Sequence, residues 1–281
     1  MTAPSPLSRL TPDHPLVLVG AGKMGGAMLA GWLSRGLAGA AVIVVDPAPP
    51  PEMAALIGVK DLRHEPTAPA GTKAGALILA VKPQILEDVL PGVASLVGPE
   101  TVVLSVVAGK TLARIAHFLG ASAAIVRSIP NTPAQVGRGI TAAIANAHVG
   151  ADDHRLVTAL LSAVGAVEWV DDEALIDVVT AVSGSGPAYV FHMVEALAAA
   201  GAAAGLDLDM ALRLARATVE GAGELLFQSP LDAATLRKNV TSPKGTTAEA
   251  LDVLMAKEGG MTELMTKAVA AAAKRSRELA G

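Results

Sequence analysis

The chain has no cysteine among its 281 residues. That excludes disulfide staples, thiolate metal sites and thiol nucleophiles, and it fits a protein working in the cytoplasm. Aromatic residues are nearly as scarce, at 2% of a sequence that is 52% hydrophobic. The apolar mass is therefore alanine, valine and leucine, which suits closely packed helices and buried parallel strands. No uncharged apolar run reaches the roughly 18 residues a membrane span needs. The closest stretch, 187–206, is interrupted by His192 and Glu195. The opening MTAPSPLSRLTPDH lacks the basic end and apolar core of a signal peptide and reads as a loose arm over residues 1–15. Net charge is −4 with both signs interspersed, and the one basic cluster is Lys274, Arg275 and Arg277. Those cations fall where a last helical turn should end, complementing its dipole. With neither a basic stripe nor a set of stacking aromatics, nucleic acid is not an expected partner.

What is present divides at about residue 170. Before it, short β-branched runs alternate with helical patterns, as a mostly parallel α/β sheet requires. Strands are expected at 16–20, 41–46, 76–81, 101–106, 123–129, 140–145 and 166–170. The first four of these are almost continuously apolar, the pattern of strands covered by helices on both faces. From residue 171 the strand signals stop. Apolar positions recur at Ala211, Leu212, Ala215, Val219, Ala222 and Leu226, the spacing of one helix face, and again from Met261 to Ala272. Between Glu195 and Leu206 the chain reads EALAAAGAAAGL. Glycine is costly inside a helix, so close helix–helix contact is expected there. The expected architecture is a Rossmann-like mostly parallel sheet domain over 1–170, followed by an all-α domain over 171–281.

The first strand runs straight into Gly20-Ala21-Gly22-Lys23-Met24-Gly25 and then a helical pattern. Alone, this G-x-G-x-x-G is equally an ordinary glycine turn. Here it follows a buried strand, opens a helix, and is followed by Asp46, 21 positions after Gly25 at the end of the second strand. Such a setting points to a dinucleotide whose pyrophosphate meets backbone N–H groups at a helix start. A carboxylate at Asp46 can accept both ribose hydroxyls but repels a 2′-phosphate. NADH is therefore expected to be usable, with Asp46→Ser shifting preference toward NADPH; a turn at Asp46-Pro47 is the plainer explanation.

Five further stretches carry a family resemblance: AVKPQ (80–84), SVVAG (105–109), RSIPNTPAQVGRGIT (127–141), AVSGSGPAYVF (181–191) and VTSPKGTTAEAL (240–251). Together with the glycine loop, and in this order, they resemble pyrroline-5-carboxylate reductase from about residue 16 to the C-terminus. The pair SGSGPAY and SP-x-GTT is the specific part. The resemblance implies hydride addition from NADPH or NADH to the ring C=N of 1-pyrroline-5-carboxylate, giving L-proline. No metal is implied. It also implies a homodimer through C-terminal helices, assembled into decamers in some members.

Site residues carry over position by position. The resemblance implies cofactor contacts at Val19 to Met24, at Ala80, Val81, Lys82 and Pro83, at Val106, Val107 and Ala108, and at Asn239, with Asn131 facing the same region. It implies substrate contacts at Glu173, Ser242, Gly245, Thr246 and Thr247. Backbone N–H groups at the helix start after Gly245 suit a carboxylate, and the Thr247 hydroxyl is the candidate for bonding the ring nitrogen. Plainer explanations accompany several of these: a solvated lysine at Lys82, a helix starter at Pro83, a helix-start glutamate at Glu173, and a capped loop at SPKGTT. Departures from the family pattern are Lys244 in place of glycine, Glu65 in place of an amide, and the segment 228–236. Two other readings stay open: a two-domain nicotinamide-dependent hydroxy- or keto-acid reductase, for which Lys244 would be the proton donor, and a dinucleotide-binding redox sensor without turnover.

Overall fold

A computed structural model describes residues 5–280. Eight strands form one sheet: β1 (Leu16–Val19), β2 (Val42–Val45), β3 (Arg63–Glu65), β4 (Ala76–Leu79), β5 (Val102–Ser105), β6 (Ala124–Pro130), β7 (Gly139–Ala145) and β8 (Gly165–Trp169), in the order 3-2-1-4-5-6-7-8. Among these ladders only β6–β7 is antiparallel. The link over 131–138 is short enough to turn the chain back directly, whereas parallel neighbours need a crossover. The crossovers are α1 (Lys23–Ser34), α2 (Pro51–Lys60), α3 (Leu86–Val93), α4 (Leu112–Leu119) and α5 (Ala151–Ser162).

Every residue of β1, β2, β4 and β5 is buried. Alternate side chains serve opposite faces, the period of a strand. Leu16, Leu18, Val42, Val44, Ile78 and Leu104 pack with Met28 and Trp32 of α1 and Leu160 of α5. Val17, Ile43, Leu77 and Val103 pack with Leu86 and Leu90 of α3 and Ile115 of α4. Each such side chain removed from water stabilises the fold by about 1.5–3 kcal/mol. Trp32, fully buried, donates its indole N–H to the Leu160 carbonyl at 2.8 Å and so ties α1 to α5.

The loose arm expected over 1–15 is corrected for the described residues; residues 1–4 lie outside them. Pro6–Arg9 forms a 3-10 turn that packs against α5. Leu7 and Leu10, one such turn apart, are buried in the same cluster as Trp32. Arg9 pairs with Asp153 at 2.9 Å. The edge strand β3, Arg-His-Glu, was not expected at all. It carries no apolar run, and its pairing with β2 organises it.

The chain separates into two compact units: one runs to Gly184 and takes in the chain from Ala273 onward, and the other spans Ser185–Ala272. This boundary lies beyond the expected one at 171. The intervening α6 (Leu175–Val179) buries Ile176 against Ile129, Ala142 and Ile144 of the sheet. A π-type turn over Thr180–Gly184 follows it. The second unit is helical, with α7 (Gly186–Ala203), α8 (Leu208–Gln228), α9 (Ala233–Asn239), α10 (Thr246–Leu254) and most of α11 (Met261–Ala280). Its small core is Ala198, Ala211 and Ala215 against Val194. A methyl group on Gly201 would stand 3.4 Å from the Ala211 Cβ, so α7 and α8 approach as closely as the Ala/Gly composition predicts. No helix among the described residues is long and apolar enough to cross a membrane.

Candidate active site

The glycine loop is built by steric necessity at two positions and by openness at a third. Gly20 has φ +93°, and a Cβ there would lie 2.8 Å from the Ala80 backbone. A Cβ on Gly25 would lie 2.3 Å from the Gly20 carbonyl oxygen, because α1 rests directly on the turn. At Gly22 a Cβ would meet nothing within 4 Å. The N–H groups of Gly22, Lys23 and Met24 have no hydrogen-bond partner among the described residues. Open space beside unpartnered amides at a helix start is the cradle a pyrophosphate requires.

Asp46 does two jobs at once. Its Oδ2 accepts the Ala21 N–H at 2.7 Å, pinning the glycine loop to the end of β2, and its Oδ1 accepts the Ala48 N–H at 2.9 Å, closing a turn. Asp46 also borders a cleft of about 730 Å³ beyond the carboxyl ends of β1, β2 and β4. Strand order reverses between β1 and β4, the switch point where open α/β sheets take ligands. Among the expected cofactor residues, the cleft gathers Val19, Gly20, Gly22, Asp46, Ala80, Val81 and Lys82. The strands stop short of their expected ends, and residues 20, 46, 80 and 81 become cleft wall. Ala21 and Lys23 line an adjoining recess with Glu52.

Other expected positions fall elsewhere. Met24 packs partly against the core, and Pro83 opens the 3-10 turn Pro83–Ile85. Val107 is 2% exposed, its side chain in the core beside Ile115. Val106 donates its N–H to the Leu79 carbonyl, and Ala108 is exposed. Pro66, Thr67, Asp88 and Val89 line the cleft without having been anticipated. The first two follow β3, the strand with no sequence signal. Overall the residues present fit a pyridine dinucleotide.

In the second unit, residues 242–245 form a turn closed by the Gly245 N–H on the Ser242 carbonyl at 3.0 Å. Pro243 precedes Lys244, whose φ is +60°. Proline second and positive φ third define a type II turn, which ordinarily takes glycine where Lys244 stands. The turn delivers Gly245 as the N-cap of α10. The Ala248 and Glu249 N–H groups fold back on the Gly245 carbonyl, leaving those of Thr246 and Thr247 without partners among the described residues. Asn239, the last residue of α9, is exposed, as is Ser242.

Residues 173–279 match the family described as pyrroline-5-carboxylate reductase dimerisation, and residues 15–109 match that described as NADP oxidoreductase, coenzyme F420-dependent. A pyrroline-5-carboxylate reductase from Pseudomonas aeruginosa is 38% identical over 94% of this chain and 96% of its own length. The chain belongs to the pyrroline-5-carboxylate reductase family. The solved family structure from Coxiella burnetii is 32% identical, covers 96% of this chain and 99% of its own, and superposes with a TM-score of 0.88. A Plasmodium falciparum pyrroline carboxylate reductase, solved with NADP bound, is 25% identical over 96% of this chain and all of its own, with a TM-score of 0.76.

Within this member of the pyrroline-5-carboxylate reductase family, Glu173 is already engaged. Its Oε1 accepts from Arg127 Nη1 at 2.7 Å and from the Leu112 N–H at the start of α4 at 2.9 Å. Arg127 is 3% exposed and its Nε has no partner among the described residues. Glu173 is thus the counter-charge of a buried guanidinium rather than a plain helix-start glutamate. Asn131 is similarly occupied, its Oδ1 taking the Ile140 N–H at 3.0 Å. Nearby, Arg114 and then Lys110 hold the Glu87 carboxyl down at about 2. Glu65, the departure from an amide, pairs with Arg63 and does not line the cleft.

Proposed function

We propose that the chain reduces 1-pyrroline-5-carboxylate to L-proline with NADH or NADPH, in the cytoplasm, as a homodimer. The observation that carries this reading is the pair of unpartnered amides at Thr246 and Thr247, presented by the Ser242–Gly245 turn of a chain that belongs to this family. Two N–H groups at a helix start bind a carboxylate, and the helix dipole adds to them. A protonated cyclic imine already carries the charge that makes its carbon electrophilic, so the site needs little acid or base chemistry. Positioning is the main task. The Thr247 hydroxyl, which bonds nothing else among the described residues, accepts from the protonated ring nitrogen and fixes the ring. When bound in the cleft of the first unit, the reduced nicotinamide supplies the hydride. The unpartnered amides of Gly22, Lys23 and Met24 hold its pyrophosphate, and Ala80 to Lys82 flank it. Ser242 and Gly245 shape the substrate turn; Asn239, Val106, Val107 and Ala108 are assigned to the cofactor by family position.

The homodimer is supported by the description of the matched dimerisation region and by apolar residues left uncovered in the second unit, among them Phe191 at 64% and Leu264 at 59% exposure. The direct test mixes purified protein with pyrroline-5-carboxylate and either reduced cofactor, following cofactor absorbance and proline. Absence of proline in both mixtures would end this reading. Thr247→Val is expected to lower kcat/KM about ten- to a hundredfold, the worth of a hydrogen bond to a charged group. An unchanged value would remove the role given to the hydroxyl.

A further inference from the structure

We propose that residues 46–51 make the adenosine subsite select NADH over NADPH, by offering the ribose an acceptor and a 2′-phosphate no donor. The proposal rests on the cofactor site assigned above and deepens it.

Asp46 spends one bond on each carboxylate oxygen, to Ala21 and Ala48, and each oxygen keeps a lone pair. Those bonds fix the carboxylate at the cleft wall, ready to accept a 2′-hydroxyl. The following segment is Pro47-Ala48-Pro49-Pro50-Pro51. Proline has no N–H. The one remaining N–H, that of Ala48, is already used by Asp46. None of the five side chains carries a donor. A 2′-phosphate placed there would meet a fixed negative charge and an unbroken stretch without donors.

The neighbouring elements do not compensate. On β3, Arg63 bonds Glu65 through Nε at 3.0 Å and keeps its Nη donors, but it does not line the cleft; His64, also outside the lining, donates Nε2–H to the Asp46 carbonyl at 2.8 Å. Beyond it, Pro66 again lacks an N–H, and Thr67 is the only hydroxyl-bearing residue lining the cleft among the described residues. The start of α2 would favour an anion, but Glu52 occupies its first turn. Among the described residues the one cation lining the cleft is Lys82, which follows β4, with β1 standing between β4 and β2. Lys23 borders the adjoining recess with Glu52.

The experiment titrates the full-length protein with NADH and with NADPH by calorimetry, without substrate. NADH is expected to bind at least about tenfold more tightly, the factor that one charge-assisted hydrogen bond represents. Pro47→Arg, which leaves both Asp46 bonds in place, should narrow that ratio, and Asp46→Ser combined with Pro47→Arg should invert it. Equal or tighter binding of NADPH by the unaltered protein overturns the proposal, and Lys23→Ala, Arg63→Ala and Lys82→Ala, compared singly, would then identify the cation responsible. Turnover assays keep the two readings apart. Proline formation that is faster with NADPH refutes the selectivity alone. A tenfold binding ratio without proline formation refutes the reaction and leaves the selectivity standing.

Discussion

Gly22 and Gly25 are three positions apart, yet a methyl group at each would act through different physics. At Gly25 it would meet the Gly20 carbonyl oxygen at 2.3 Å, so the loop itself would have to move. At Gly22 it would meet open space within the protein and intrude only on a ligand. Gly22→Ala is therefore expected to fold normally, changing stability by no more than about 1 kcal/mol as an N-cap substitution. Its dinucleotide affinity should fall at least about tenfold, because the second glycine exists to let the pyrophosphate approach. Thermal unfolding and cofactor titration of one preparation check both halves. Lys244 presents the opposite case, a side chain where the backbone prefers none. Relief of its φ of +60° should make Lys244→Gly more stable. The gain is about 1 kcal/mol, partly offset by the entropy of an added glycine. Activity should survive. Its complete loss would favour the hydroxy- or keto-acid reductase, in which a lysine must supply a proton.

At the scale of elements, Glu173 joins β6 to the start of α4 by accepting from Arg127 and Leu112. Family position makes it a substrate contact, while its hydrogen bonds make it internal. The two roles predict different data. Glu173→Ala leaves a buried guanidinium unpaired and should cost on the order of 2–3 kcal/mol, below the full figure for a buried pair because the carboxylate is partly exposed. If the internal role dominates, Glu173→Gln recovers part of that stability and KM barely moves. A raised KM with unchanged melting would restore the substrate role. Strand β3 leaves no signal in the sequence. Its residues Arg63, His64 and Glu65 carry no apolar period, and register against Ile43 to Val45 supplies the order. The turn at Pro6–Arg9 leaves no signal in the sequence for a related reason: two leucines form no periodic pattern until α5 gives them a surface to cover.

For the molecule as a whole, the helical unit does not bury its own apolar faces. Ala211 and Ala215 are covered, while Leu212 remains 42% and Leu264 59% exposed on helices whose sequence period marks those positions as inward-facing. Apolar surface on this scale marks an interface. The protein is expected to sediment as a dimer or larger, with a melting temperature that rises with concentration. Phe191→Glu combined with Leu264→Glu should yield a monomer of lower stability. A wild-type monomer at assay concentrations would contradict the homodimer.

Local period and local chemistry are properties of the chain, and what depends on them was readable in advance. These include the parallel strands with their two-sided apolar runs, the glycine turn before α1, the acid after β2, the tight Ala/Gly helix pairing, and the turn ahead of Thr246. What needed the tertiary structure are facts about partners distant along the chain: that Asp46 holds Ala21, that Glu173 answers Arg127, that Val107 turns into the core, that α6 stays with the sheet. A sequence states which groups can donate, accept or hide from water. Only the fold brings together groups tens of residues apart, and that juxtaposition decides which of their possible bonds are made.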